Sequence, residues 1–308
     1  MNLHGLHHVT AITADAEANH DFYTRVLGMR LVKKTVNQDD VSAYHLFYAD
    51  GAGTPGTDLT FFDWPAAREK RGTNSIILTG LRVGSAESLE WWQQRLGAKT
   101  PIIERNGRPV LDFKDPEGQR LSLVVDEEPA VAVWDQSSVP PEHQIRGLGP
   151  VTISVRRIES TDRILRQLLG LECLASYEWS GRETRVYRCG SKPGAARELH
   201  VVSEPEGAPA RQGSGGVHHL ALRTTAADYD AWARRLSEPG IPNSGPVDRF
   251  WFRSLYFRDP NGILFEVATD EPGFATDEPR EKLGETLSLP PFLEPRRREI
   301  ESGLKPLA

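Results

Sequence analysis

The 308-residue chain holds only two cysteines and two methionines. Cys173 and Cys189 stand far apart, so they build neither a disulfide framework nor a cysteine-based metal knuckle, and two buried free thiols in a reducing cytoplasm are the expectation. Long apolar runs and a signal-peptide pattern are missing too, which argues against a membrane-spanning segment and for a cytoplasmic protein. Positive charge is not in excess: 37 Lys and Arg face 43 Asp and Glu, a formal net charge of -6. Nucleic acid and anionic membrane call for a concentrated basic face and are therefore not expected partners. The one dense basic run, Arg296, Arg297 and Arg298, reads as a solvated helix face.

With 38% hydrophobic residues and mixed charge, the chain is globular and long enough for two ordinary domains. The same order recurs four times: a strand, a helix stopped by glycine where Gly28, Gly97 and Gly170 stand, then three more strands. These βαβββ modules span about 5–63, 73–127, 147–204 and 216–270, and Pro/Gly-rich links at 139–141 and 205–216 mark seams. The expected class is α+β: an N-terminal domain of two modules (1–139), a C-terminal domain of two modules (140–270), and a tail (271–308). Leu287, Leu289, Phe292 and Leu293 give that tail apolar residues with which to dock on the domains.

Chemistry concentrates in the fourth module. His219 stands in the apolar alternation of 217–222, and Glu266 in that of 263–267 after an Asp259-Pro260-Asn261-Gly262 turn. Successive strand side chains point to opposite faces, so His219 and Glu266 look into one concavity, away from the helix. A third ligand comes from the opening strand of module one, where Leu6-His7-His8-Val9-Thr10 repeats the His-His pattern and offers His8. Strict alternation turns His7 and His218 to the helix side. Aligned on module four, module two has Asn74-Ser75 over His218-His219 and Ser122 over Glu266, while module three has Pro150 in place of His8. One site per chain is expected, made by modules one and four. Two imidazoles and a carboxylate leave metal positions open, a set that suits Fe(II) and also serves zinc hydrolases.

The βαβββ repeats, the opening His-His-Val-Thr, the late Val-His-His-Leu-Ala and the Asp-Pro-Asn-Gly…Phe-Glu ending resemble the vicinal oxygen chelate superfamily of glyoxalases, bleomycin-resistance proteins and extradiol dioxygenases. Blocks at 37–40, 44–46, 53–56, 249–252 and 255–260 resemble its hydroquinone-type ring-cleaving dioxygenases. The resemblance implies two glyoxalase-like half-barrel domains and Fe(II), in some members Mn(II), on His8, His219 and Glu266. It also implies O2 and a small aromatic diol, most simply a hydroquinone, as substrates. Supporting or substrate-contacting roles are implied for His7, Thr10, His218, Arg249 and Tyr256. For His7 and His218, orienting a neighbour and touching substrate both stay open; His45, Trp64, Trp251 and Phe252 read as core or pocket wall. A glyoxalase-type isomerase or lyase would add a further metal-binding side chain, and the closing strand of module one, Thr60-Phe61-Phe62-Asp63, offers no Glu. A protein that only sequesters an aromatic ligand or drug would not need the triad. Nothing in the sequence opposes a homo-oligomer.

Overall fold

The computed structural model describes residues 1–128, 132–238 and 240–307. Module one supplies β1 (Leu6–Thr13), β2 (Arg30–Asn37), β3 (Asp40–Ala49) and β4 (Asp58–Asp63). Module two supplies β5 (Ser75–Val83), β6 (Ile103–Arg105), β7 (Arg108–Lys114) and β8 (Arg120–Val125). Module three follows with β9 (Leu148–Val155), β10 (Glu172–Trp179), β11 (Arg182–Arg188) and β12 (Glu198–Ser203). Module four ends the series with β13 (Val217–Thr224), β14 (Val247–Asp248), β15 (Arg253–Arg258) and β16 (Leu264–Thr269). A helix follows each opening strand: α1 (Ala16–Asp21), α2 (Ala86–Arg95), α3 (Ile158–Arg163) and α4 (Ala226–Ser237). Asp15, Ser85 and Thr225 cap α1, α2 and α4, each accepting a backbone N–H three residues on.

The strands form two curled eight-stranded sheets, ordered β14-β15-β16-β13-β1-β4-β3-β2 and β10-β11-β12-β9-β5-β8-β7-β6. The expected α+β class and the four-module repeat hold. The division at 139–140 is not the one the strands make: the first sheet joins modules one and four, the second joins two and three. The reason lies in the links. Segments 64–74 and 205–216 run beside each other, with Lys70 bridged to Arg211 and Thr73 to Pro209, and carry the chain across from one sheet to the other. Side chains would block that crossing. A Cβ on Gly72 would stand 2.2 Å from the carbonyl oxygen of Ala208, and one on Gly213 would stand 2.1 Å from that of Ala67.

Helices, by contrast, are tied between sequence neighbours. Arg95 at the end of α2 donates to the carbonyls of Val26 (2.8 Å) and Arg25 (2.7 Å), which close the first helix. Arg235 of α4 does the same for Leu168 (2.7 Å) and Gln167 (2.6 Å). Both ties occupy carbonyls that a helix end leaves without partners. Helix pairs therefore follow the chain, sheet pairs nest, and each half of the molecule is held to the other by both.

Two apolar expectations need correction. Cys173 is exposed, because β10 is an edge strand; Cys189 is buried, and both are free thiols. Phe292 does not dock, being 60% exposed, whereas Leu289, Leu293 and Ile300 cluster with Val36 of β2. The tail is further anchored by Lys33, whose fully buried ammonium donates to Asp277 (2.8 Å), the Phe274 carbonyl (3.1 Å) and Glu278. No helix among the described residues is long and apolar enough to cross a membrane.

Removing one partner of a buried ion pair strands the other. Lys33→Ala is expected to lower unfolding free energy by about 3 kcal/mol, the low end for such losses because Asp277 is partly exposed. Urea denaturation followed by circular dichroism measures it; a change within about 0.5 kcal/mol, as for an ordinary surface position, would show that the tail is not anchored there.

Candidate metal centre

Strands β1 and β13 lie antiparallel at the middle of the first sheet, and their ladder is irregular in two places. Pairing steps from Leu6↔Leu222 to Val9↔Leu220, leaving an extra residue at His7-His8, and from Thr10↔His219 to Ala11↔Val217, leaving one at His218. A bulge re-aims side chains. Here each bulge brings two consecutive imidazoles together: His7 Nδ1 is 2.9 Å from His8 Nδ1, and His218 Nδ1 is 2.7 Å from His219 Nδ1. Strict alternation, which turned His7 and His218 to the helix side, fails at these two points for that reason. Each of the pair holds its neighbour's Nδ1, and His7 Nε2 in turn meets the Thr269 carbonyl at 3.1 Å.

With Nδ1 engaged, the Nε2 atoms of His8 and His219 face each other at 3.2 Å. Glu266 arrives on β16, parallel to β13, and its Oε2 lies 3.1 Å from His8 Nε2 and 3.0 Å from His219 Nε2. Among the described residues this is the one cluster of His, Cys, Asp or Glu placed to hold a metal ion. Glu266 Oε1 accepts from Ser254 (2.5 Å), yet Oε2 is buried and has no well-directed hydrogen bond despite the two nearby nitrogens. The misdirection is informative: the three atoms aim at a common point rather than at one another. Donors about 2.1 Å from a metal and at right angles are about 3.0 Å apart, so this triangle fits one face of an octahedral ion.

Charge is arranged accordingly. Burial, then His8 and Glu266 with opposite effects, acts on His219 and lowers its pKa. Burial followed by the neighbouring imidazole brings His7 and His218 down to about 3. Glu266 runs the other way: burial opposes its charge, but His8 and His219 hold it well below the usual carboxylate range. An ionised Glu266 oxygen thus stands beside a His219 imidazole that burial disposes to the neutral form.

The remaining named residues surround this face. Thr10 Oγ1 is 3.0 Å from His219 Nε2 and 2.8 Å from Thr60 Oγ1. Tyr256 pairs with Glu266 across β15 and β16, and its hydroxyl is 3.4 Å from Arg249 Nε. Burial raises the Tyr256 hydroxyl above its ordinary value, with Glu266 adding to the effect. Burial works against charge on Arg249, but Asp39, held at 2.8 and 3.2 Å, and Tyr256 keep its guanidinium firmly protonated. Trp251 and Phe252 form a wall, with Phe252 5.5 Å from the His8 ring.

Sequence reading gave no individual role to Ser254, Thr60 or Asp39, and read His45 as core or pocket wall. Ser254 orients Glu266; it stands two residues before Tyr256 and so shares its face, a signal that alternation did offer. His45 lines the cavity between Phe47 and Phe62 and bonds Thr60 (2.9 Å), with burial lowering its pKa well below the ordinary value. Thr60 pairs with Thr10, and Asp39 reaches Arg249 from the β2–β3 turn. Long-range pairs such as the last leave no local trace in a sequence.

The second sheet repeats the pattern without the donors. Its ladder is bulged at 76–78 and at 148–151, and its registers put Leu78, Pro150 and Ser122 where His219, His8 and Glu266 stand. Ile77-Leu78, not Asn74-Ser75, thus match His218-His219: paired residues of the first and last strands are 45 apart in module four (Leu220, Phe265) and 42 apart in module two (Thr79, Leu121), so an alignment anchored on the closing turns is three positions out at the opening strand. Both pairs lack metal-binding side chains.

Comparison with known proteins decides the kinship. The family described as the Glyoxalase/Bleomycin resistance protein/Dioxygenase superfamily matches residues 5–123 and 147–267. The chain belongs to that superfamily. It is 47% identical over the full length of both chains to the "Putative ring-cleaving dioxygenase MhqA" of Bacillus subtilis. It is 32% identical to the "Chlorohydroquinone/hydroquinone 1,2-dioxygenase" of Sphingobium indicum, over 96% of this chain and 94% of that one. A crystal structure of a "putative dioxygenase" from Bacillus subtilis superposes with a TM-score of 0.92 at 36% identity, covering 100% of this chain and 98% of that one. By this kinship the superfamily member described here is an oxidoreductase of the dioxygenase kind.

Partners that orient a ligating imidazole contribute about 10- to 100-fold in metal affinity. His7→Ala and His218→Ala are each expected to weaken divalent-metal binding by that amount with circular dichroism unchanged. Titration with a competing chelator measures the shift, and unaltered affinity in both variants would remove the orienting role.

Proposed function

We propose that the chain opens the ring of a small aromatic diol, most simply a hydroquinone with or without a ring substituent, using O2 and an Fe(II) ion held by His8, His219 and Glu266. The observation that carries this reading is the three-donor face, the one such cluster among the described residues, bordered by a cavity where Tyr256, Arg249 and His45 stand. Similarity over nearly the whole chain to a chlorohydroquinone/hydroquinone 1,2-dioxygenase supports the substrate class. Mn(II) suits the same donors. Thr60, at the register position in module one that Glu266 holds in module four, weighs against a glyoxalase-type isomerase with a fourth donor.

Iron bound on this face supplies the redox chemistry by which triplet O2 and a closed-shell ring react. The chain's own residues then have separate tasks. A para-diol would have only one oxygen to offer an ion held there, leaving the other end of the ring to the protein. Arg249 stabilises negative charge on oxygen beside Tyr256. The Tyr256 hydroxyl, kept protonated by burial, donates a hydrogen bond to a substrate oxygen and hands its proton to that oxygen as negative charge develops on it during ring opening, Arg249 stabilising the tyrosinate left behind. His45, held neutral, accepts from the distal hydroxyl. Trp251 and Phe252 lie against the ring face, and His7, His218 and Thr10 fix the ligands rather than the substrate.

The cavity above the triad measures about 30 Å³, space for a water but not for an aromatic ring. Access therefore requires movement at its mouth. The Asp39–Arg249 pair, with Gln38 donating to the Arg249 carbonyl (2.9 Å), spans that mouth between the β2–β3 turn and the 249–252 loop.

Acid–base groups typically contribute about 10²- to 10⁴-fold in rate. After anaerobic loading with Fe(II), O2 uptake with hydroquinone or methylhydroquinone is expected, and Tyr256→Phe should cut it by that factor with iron content unchanged. Uptake with catechol alone would remove the para-diol assignment. Turnover of a methylglyoxal–glutathione adduct without O2 consumption would sink the dioxygenase reading.

A further inference from the structure

The second sheet lacks the donors of the first: Leu78, Pro150 and Ser122 stand in their places, and Leu78 also borders a separate hollow. Ile77 and Leu78, at the positions of His218 and His219, line a recess of about 610 Å³ together with Phe113, Leu121, Phe22 and Trp179. That volume lies within the range of small-molecule sites. Four cationic side chains also border it: Arg95, Lys99, Lys114 and Arg120.

These charges are unequal in availability. Arg95 already donates to the Val26 and Arg25 carbonyls and to Ser138. Lys99 and Lys114 are exposed, Arg120 is half-buried, and none of the three has an ion-pair partner among the described residues. The acid on the lining, Asp112, is clamped by Arg105 at 2.5 and 3.1 Å and does not offset them. Arg120, with Ile77 and Trp179, also borders an adjoining recess of about 450 Å³, so it stands between two hollows. An apolar floor under Lys99, Lys114 and Arg120, the last partly answered by Glu69 and Glu204, complements an anion with an apolar body.

We propose that this recess binds a small amphipathic carboxylate, its hydrocarbon part on Ile77, Leu78, Phe113 and Leu121 and its carboxylate at Arg120 and Lys114. A neutral molecule would leave the cations unanswered. A strongly hydrated inorganic anion would leave the apolar floor uncovered. This site is separate from the metal centre and does not depend on the reaction there.

Calorimetric titration of the full chain with monomeric decanoate, and with decanol as the uncharged counterpart, tests the assignment. One decanoate per chain is expected to bind saturably, and decanol at least about tenfold more weakly, since a hydrogen bond to a charged group is worth about 1.5–3 kcal/mol. Lys114→Glu and Arg120→Glu should each weaken decanoate by about tenfold and leave decanol unmoved. Ile77→Trp, which fills the hollow, should weaken both ligands while metal content and circular dichroism stay as in the parent chain. Absence of saturable binding, equal affinity for decanol, or decanoate binding indifferent to both charge reversals would overturn the proposal. So would a two-chain particle in solution whose contact buries the recess.

Discussion

The antiparallel contact of β1 with β13 governs the metal face. It brings together side chains from opposite ends of the chain, and it does so through a ladder that is deliberately out of step at both histidine pairs. Register is held by what lies on either side of the bulges: Val9, Ala11, Leu220 and Leu222 are wholly buried, so a slip by one residue would turn this apolar set away from the core. Pinning those four residues pins His8 against His219. β16 then follows from parallel pairing with β13, and Glu266 needs no further device to reach the same point.

That point is electrostatically unusual. An ionised carboxylate with no exposed surface costs several kcal/mol unless something answers its charge, and Ser254 answers only one of its oxygens. Burial lowers the pKa of His7, His218 and His219, which favours imidazoles that offer lone pairs over ones that carry positive charge. A dication held there would leave one net positive charge, which an anionic oxygen would balance, and Arg249, already paired with Asp39, offers directional donors beside it.

Much of this was legible in the sequence. Four modules, the helix stops and the His8, His219 and Glu266 donors all rest on local periodicity and turn chemistry, which a single chain displays directly. What was not legible is long-range. Nested sheet pairing depends on two links running side by side, and a reading that joins neighbours in the chain splits the molecule at 139–140 instead. Bulges carry no residue signature here, so alternation misplaced His7 and His218, and three more residues between the first and last strands of module four than of module two moved the match from Ile77-Leu78 to Asn74-Ser75. Edge position likewise exposed Cys173 against its residue-type preference.

The pocket's two sides differ in stiffness, and the difference has an identifiable source. Phe250 adopts φ +73, a left-handed conformation that costs a bulky residue about 1–3 kcal/mol and persists only where its surroundings over-determine it. The next residue supplies that constraint: the Trp251 indole donates to Asp277 (2.8 Å), the same carboxylate that pairs with buried Lys33, whose ammonium also lies 5.0 Å from the indole ring. The tail thus fixes the aromatic wall through a chain of buried contacts. The mouth is held by Asp39 and Arg249, and Asp39 is 72% exposed, a setting in which an ion pair contributes about 0–1 kcal/mol. Opening the mouth is therefore cheap beside distorting the wall, so the pocket can be widened by parting the β2–β3 turn from Arg249 while Trp251, Phe252, His8, His219 and Glu266 keep their places.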